Sequence, residues 1–286
     1  MSEIYLNGAF VPPEEARVSV FDRGFLFGDG VYEVIPAYGA RPLRLREHLE
    51  RLGNSLRAVG MDEPLAHEQW SAIFERLLNA APRVDQAIYV QVTRGAPPVR
   101  DHRFPEDTPP TLLAMAKVMK PRDPVVAEFG VSAIARDDIR WLRCDIKSIS
   151  LLAAVLLREE AHKANAEEAL LLRDGAVTEG STSNIFICRD GTVATPPKGR
   201  LLLHGITRDL VMDLARGDGL VVEERPIPAA ELADADEVWI TSSTREVMPV
   251  TNIDGVPVGD GTPGPLWRRI DALYQDCKAE LRGYRV

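Results

Sequence analysis

Lysine is scarce in this chain. Of its 34 lysines and arginines only six are lysine, at positions 117, 120, 147, 163, 198 and 278. Cysteine is rarer still. Cys144, Cys188 and Cys277 form no CxxC or metal-like spacing, which excludes a disulfide framework and a zinc ribbon and suits a reducing compartment. Long hydrophobic runs are missing too, for the longest, residues 151–157, is far too short to cross a bilayer. Positive charge is not in excess. The net charge is −9, which argues against nucleic acid or an anionic membrane as the main partner, although a small anionic ligand needs only a local cationic site. The start Met1-Ser2-Glu3-Ile4-Tyr5 has no basic region leading into an apolar one, so no secretory signal is expected. These absences together predict a cytoplasmic protein with no metal, no nucleic-acid partner and no membrane partner.

What is present fits a soluble enzyme-sized chain. At 286 residues and 45% apolar content, two domains or one large α/β unit are expected. Residues 3–10 and 17–21 alternate around Asn7-Gly8 and predict a hairpin, and the glycines at 24, 28 and 30 predict a tight turn into a strand carrying Tyr32. Helical periodicity covers residues 44–60, with Arg51 beside the apolar face, and a second amphipathic helix covers 70–80. Strands are expected at 87–95 and 112–118. The prolines of Met119-Lys120-Pro121-Arg122-Asp123-Pro124 suggest an interdomain linker over 120–124, which separates a domain 1–119 from a domain 125–286. A strand over 125–136, a helix over 150–164 with Leu151 and Val155 inward, and hairpins at Asp174-Gly175, Asp190-Gly191 and Asp254-Gly255 follow. A helix from 265 to about 281 closes the chain.

The chemistry gathers around one lysine. Lys147 alone among the six is followed by a long apolar run, which would hold its amine against apolar surface and free it to attack a carbonyl; the alternative is a strand-end lysine whose stem covers that surface. Arg100 and His102 stand two apart in the Pro-rich loop 96–105, so in extended backbone both point the same way and could hold a carboxylate. Gly205-Ile206-Thr207 opens a helix whose N–H groups, with the Thr207 hydroxyl, would bind an anion. Thr241-Ser242-Ser243-Thr244 adds hydroxyls at a strand end. Glu179 heads a loop of small residues, where its carboxylate could pair with a protonated ring nitrogen. Singly these could be a cap, a polar turn and an exposed acid. With Lys147 they have one economical explanation, pyridoxal 5'-phosphate held as a Schiff base.

The segment Glu179-x-Ser181-x-x-Asn184-Ile185-Phe186, then Val193-x-Thr195, then Leu203-x-Gly205-Ile206-x-Arg208 resembles the signature of class IV aminotransferases, the fold-type IV pyridoxal-phosphate enzymes. The resemblance runs from Tyr5-Leu6-Asn7-Gly8 through the last hairpin. It implies an α+β fold of two domains, a small N-terminal α/β domain and a larger C-terminal one with a mixed, barrel-like sheet. It also implies that Lys147 carries the cofactor and shuttles the Cα proton, and that Glu179 pairs with the pyridine nitrogen. Arg51, Ile206, Thr207 and Ser243, with Ser242 or Thr244, would bind the phosphate, and Leu203 would pack on the ring. Tyr32, Arg100 and His102 would trap the substrate carboxylate, the last two reaching across from the neighbouring subunit of a homodimer.

Within the family, residues 138–148 and the Arg100-x-His102 loop are most similar to the D-amino acid aminotransferases. That implies transfer of the amino group of D-alanine or a similar D-amino acid to 2-oxoglutarate, with small amino acids and 2-oxo acids as partners. Two departures stand out: the stretch at 96–99 is one residue longer than in those relatives, and Phe25-Leu26 replaces a more polar pair. The alternatives are a branched-chain L-aminotransferase, an (R)-amine transaminase, an aminodeoxychorismate lyase, or a noncatalytic cofactor-binding protein.

Overall fold

Residues 3–283 are described by the structure, a computed structural model. The chain divides into two compact units, and the change falls between Lys120 and Pro121. The first also takes Ile146–Leu151, and so Lys147, together with residues 279–283.

The first unit contains β1 (Ile4–Leu6), β2 (Ala9–Val11), α1 (Arg23–Phe27), β3 (Gly30–Tyr38), β4 (Arg41–Pro42), α2 (Leu45–Ala58), α3 (His67–Leu78), β5 (Gln86–Thr93) and β6 (Thr111–Val118). Its strands form one antiparallel sheet in the order β2-β1-β6-β5-β3-β4. Alternation along β3 sets Val31, Glu33, Ile35 and Ala37 on one fully buried face. Leu49, Leu52 and Leu56 of α2 and Trp70, Phe74 and Leu77 of α3 fill the same core. Two expectations fail here. Residues 17–21 form no strand, and the turn before β3 is the helix α1, capped by the Asp22 carboxylate accepting from Gly24 N–H and ended by Gly28 at φ 66°.

The second unit contains α4 (Pro124–Phe129), β7 (Val131–Asp137), α5 (Leu152–Lys163), β8 (Glu168–Arg173), β9 (Ala176–Gly180), β10 (Asn184–Arg189), β11 (Thr192–Thr195), α6 (Ile206–Gly217), β12 (Val221–Glu224), β13 (Ile227–Pro228), β14 (Glu237–Ser242), β15 (Glu246–Ile253), β16 (Val256–Pro257) and most of α7 (Pro265–Arg282). One mixed sheet runs β12-β11-β10-β14-β15-β7-β8-β9-β13, with β16 on β15. Its parallel pairs are β11–β12, β15–β7 and β7–β8. The predicted strand at 125–136 starts late, because Asp123 caps Val125 N–H and Pro124 suits the first turn of a helix. Helix α5 also turns against expectation. It buries Ala154, Leu157 and Ala161, while Leu151, just before it, and its own Leu152, Val155 and Leu156 stand exposed.

Candidate active site

In the first unit, Lys147 is fixed by its backbone. Its N–H donates to Ser55 Oγ (3.2 Å) and its carbonyl accepts from Tyr32 N–H (2.9 Å), while Ile149 N–H reaches Gly30 O (3.0 Å). The half-buried amine lies 4.2 Å from the centre of the Tyr32 ring, which itself stacks on Tyr89. An aromatic face, rather than the apolar run after it, is what Lys147 meets. Of that run, Leu151, Leu152, Val155 and Leu156 point outward.

Arg51 is buried and engaged with an acid for which the sequence motifs give no role. Its Nε and Nη2 donate to Glu33 Oε1 (2.7 Å) and Oε2 (2.9 Å), and His48 Nδ1 lies 2.9 Å from Oε2. Burial works against the Glu33 charge, yet Arg51 and His48 hold its carboxyl well below the usual range. Burial lowers the His48 pKa, against the pull of the Glu33 carboxylate beside it. The sequence did carry a signal for Glu33: it is the one charged position on the apolar face of β3.

Arg100 and His102 come together around Phe27. The Arg100 guanidinium sits 4.7 Å from the ring centroid and the His102 ring 5.0 Å from it, both side chains being otherwise exposed.

In the second unit, Glu179 is the hub. Its buried carboxylate accepts from Arg140 Nη1, from Asn184 Nδ2 (3.0 Å) and from Leu203 N–H (3.0 Å). Burial raises its pKa to about 7 despite Arg140, because that guanidinium is shared with Asp138, at 2.9 Å. A carboxylate of that proton affinity, lined up by a main-chain N–H and an amide, is suited to a protonated ring nitrogen. Asn184 stands in the family motif without a role of its own, and nothing in the sequence singles out Arg140. Leu203, half-buried, contributes its N–H to Glu179 and its carbonyl to Asn184 Nδ2 (2.8 Å).

The predicted anion donors lie in the same unit. Ile206 and Thr207 are buried in the first turn of α6, whose N-cap Gly205 has no side-chain cap, so its leading N–H groups are left for another acceptor. A Cβ on Gly205 would lie 1.8 Å from Asn184 Oδ1, so glycine here keeps room for the amide that serves Glu179. Ser242 ends β14, Ser243 is half-buried and Thr244 is exposed. Thr241, which opposes Asn184 across β10 and β14, has a buried hydroxyl without a partner among the described residues. An unsatisfied donor on Asn184's face, beside the serines, fits a phosphorylated ring. Among the described residues no cluster of three His, Cys, Asp or Glu is placed to hold a metal ion.

Residues 30–253 match the family model for amino-transferase class IV, and the chain belongs to that family of pyridoxal-phosphate-dependent aminotransferases. It is 42% identical to the D-alanine aminotransferase of Bacillus licheniformis over 275 residues, covering 96% of each chain. It is also 42% identical to the D-alanine aminotransferase of Staphylococcus epidermidis over 277 residues, covering 96% of this chain and 97% of that one. Among solved structures, a T.th. branched-chain amino acid aminotransferase with pyridoxamine 5'-phosphate superposes at TM-score 0.92 with 31% identity, covering 99% of this chain and 95% of that one. The Escherichia coli branched-chain enzyme superposes at 0.88 with 26% identity, covering 96% and 93%. The fold is therefore fold-type IV.

Proposed function

We propose that this chain moves the amino group of D-alanine and similar D-amino acids to 2-oxoglutarate, in two half-reactions that share one site. The observation that carries the D-side reading is the placing of Arg100 and His102 on one aromatic ring, in a chain whose near-full-length relatives are D-alanine aminotransferases.

Pyridoxal phosphate, when bound, supplies an electron sink that stabilises negative charge at the substrate Cα. Lys147 anchors it and, as a free amine, moves the Cα proton. Glu179 keeps the ring nitrogen protonated, and Arg140 and Asn184 hold that carboxylate in place. The α6 N-terminus, Thr207, Ser242, Ser243 and Arg51 bind the phosphate, with Glu33 orienting the Arg51 guanidinium. Leu203 packs on the ring. Tyr32, Arg100 and His102 fix the substrate carboxylate, and so decide which enantiomer turns its Cα–H toward Lys147.

A homodimer is part of this reading, supported by large apolar side chains left exposed on each unit, among them Phe25, Trp141 and Leu152. A cytoplasmic location is also part of it, consistent with the free, buried thiols of Cys144 and Cys188.

The test is an absorbance scan of the cofactor-loaded protein with D-alanine and with L-leucine in separate cuvettes. D-alanine alone should convert the visible band of the cofactor to its amine form. Conversion by L-leucine alone would move the assignment to the branched-chain reaction, whose solved structures share this fold.

A further inference from the structure

The loop bearing Arg100 and His102 rests on a frame that the amino-transfer reading does not use. Asp29, just before β3, is a carboxylate shared by two arginines. Arg23 Nε donates to it at 2.7 Å, and Arg94 donates through Nε at 2.9 Å and Nη2 at 3.0 Å. Burial raises the Asp29 pKa, but the two arginines more than offset it and hold the group ionised. Each arginine then grips one part of the loop. Arg94 stacks on Phe104, its guanidinium 3.6 Å from the ring centroid. Arg23, 4% exposed, turns its Nη groups to three consecutive carbonyls, those of Asp101, His102 (3.3 Å) and Arg103 (3.1 Å). Four residues on from Arg23, on the same short helix, Phe27 offers its ring to Arg100 and His102.

Charge partners separate these groups. Arg23 and Arg94 are paired with Asp29, and Arg103 with Asp101 at 2.8 Å. Among the described residues neither Arg100 nor His102 has a carboxylate partner. Their side chains are held by an aromatic ring alone, and a ring orients a cation without neutralising it.

We propose that Phe27 is a positioning residue for substrate recognition. Seated by the Arg23–Asp29 frame, it sets Arg100 and His102 at the spacing and orientation that receive a carboxylate while leaving the guanidinium charge and the imidazole nitrogens available. This inference rests on the carboxylate-trap reading above. An acidic residue in place of Phe27 would position the arginine equally well but consume its charge.

The test is steady-state kinetics of the loaded enzyme with D-alanine and 2-oxoglutarate. The unaltered protein is measured first, and if it does not act on D-alanine the amino-transfer reading itself falls. If it does, Phe27→Leu should raise both KM values by about fivefold with kcat within about twofold. Cofactor content and melting temperature should not move. Phe27→Tyr, which keeps the ring face, should return KM to within about twofold of the original. Should Phe27→Leu lose cofactor or melt early, Phe27→Met fills a similar volume without a π face and carries the same comparison. A double-mutant cycle adds the coupling: on an Arg100→Leu background Phe27→Leu should raise KM less than it does in the unaltered protein, and with His102→Leu added it should change KM little further. Unchanged KM values, a fall in kcat alone, or full additivity with Arg100→Leu would each overturn the proposal.

Discussion

At Glu179 the protein keeps a carboxyl group whose proton affinity burial has raised from an ordinary 4.5 to about 7. A raised folded-state pKa adds stability at pH below the unfolded value, and that contribution is lost as pH rises through the folded one. For the protein stripped of cofactor, the melting temperature should therefore fall between about pH 4.5 and 7, relative to a Glu179→Gln variant that cannot ionise. The difference is on the order of 3 kcal/mol at 1.36 kcal/mol per pKa unit. Parallel pH profiles for the two proteins in differential scanning fluorimetry would sink this account. Lys147→Ala should cost about a thousandfold or more in amino transfer, since anchoring and proton movement disappear together. A Lys147→Ala variant that still converts D-alanine at a comparable rate would remove the lysine from the chemistry. Glu33 serves the fold and, through Arg51, the proposed phosphate site. Glu33→Ala removes both charge-assisted bonds that Arg51 makes with it, inside a buried triad. It should destabilise the protein by about 3–5 kcal/mol, read from urea denaturation.

Helix α6 shows how an element delivers a site. Its N-cap is a glycine with no side chain to satisfy the leading N–H groups, and the reason for glycine is steric, since its φ of −68° is open to any residue. Gly205→Ala drives a methyl into the Asn184 amide. It should cost about 1–3 kcal/mol of stability and weaken cofactor retention by roughly tenfold, while Gly199→Ala, with open space around it, serves as the neutral control. Equal cofactor retention in the two variants would show that Asn184 has room to move. Elements with strong local signals are legible in the sequence. The hairpin turns at Asn7-Gly8, Asp174-Gly175, Asp190-Gly191 and Asp254-Gly255 all have positive φ at both residues, as their Asx-Gly chemistry requires. The motif residues Glu179, Asn184 and Leu203 do meet, because β9, β10 and the segment before α6 bring them to one carboxylate. The inward face of helix α5 is not legible, for a physical reason. Leu152-Ala153-Ala154-Val155-Leu156-Leu157 is apolar all round, so periodicity cannot tell which face is inside, and the face that packs carries Ala154, Leu157 and Ala161. Helix α1 escapes notice because five residues hold too little periodicity, and its frame for the 100–103 loop is built from contacts distant in sequence.

For the whole molecule, the outward apolar face of α5 becomes the most useful clue. Leu152, Val155 and Leu156 lie at i, i+3 and i+4, and are 73%, 58% and 50% exposed. Ile139, Trp141 and Leu142 of the same unit are exposed as well, as are Val20 and Phe25 in the first unit. An apolar row along one exposed helix face fits the homodimer proposed above. Stable partners bury about 800 Å² each. Sedimentation equilibrium should therefore give about twice the 31.6 kDa of one chain. A Leu152→Glu, Leu156→Glu double variant puts two charges on that face without touching Ala154, Leu157 or Ala161, which α5 buries in its own unit. It should fold, keep the melting transition of the second unit's core, and sediment as a monomer. If the 100–103 loop completes the neighbouring site, that monomer should bind cofactor yet need far more D-alanine to turn over, with KM rising before kcat falls. A double variant that stays dimeric would place the partner elsewhere on the surface. One that becomes monomeric with KM unchanged would instead return Arg100 and His102 to their own subunit's site.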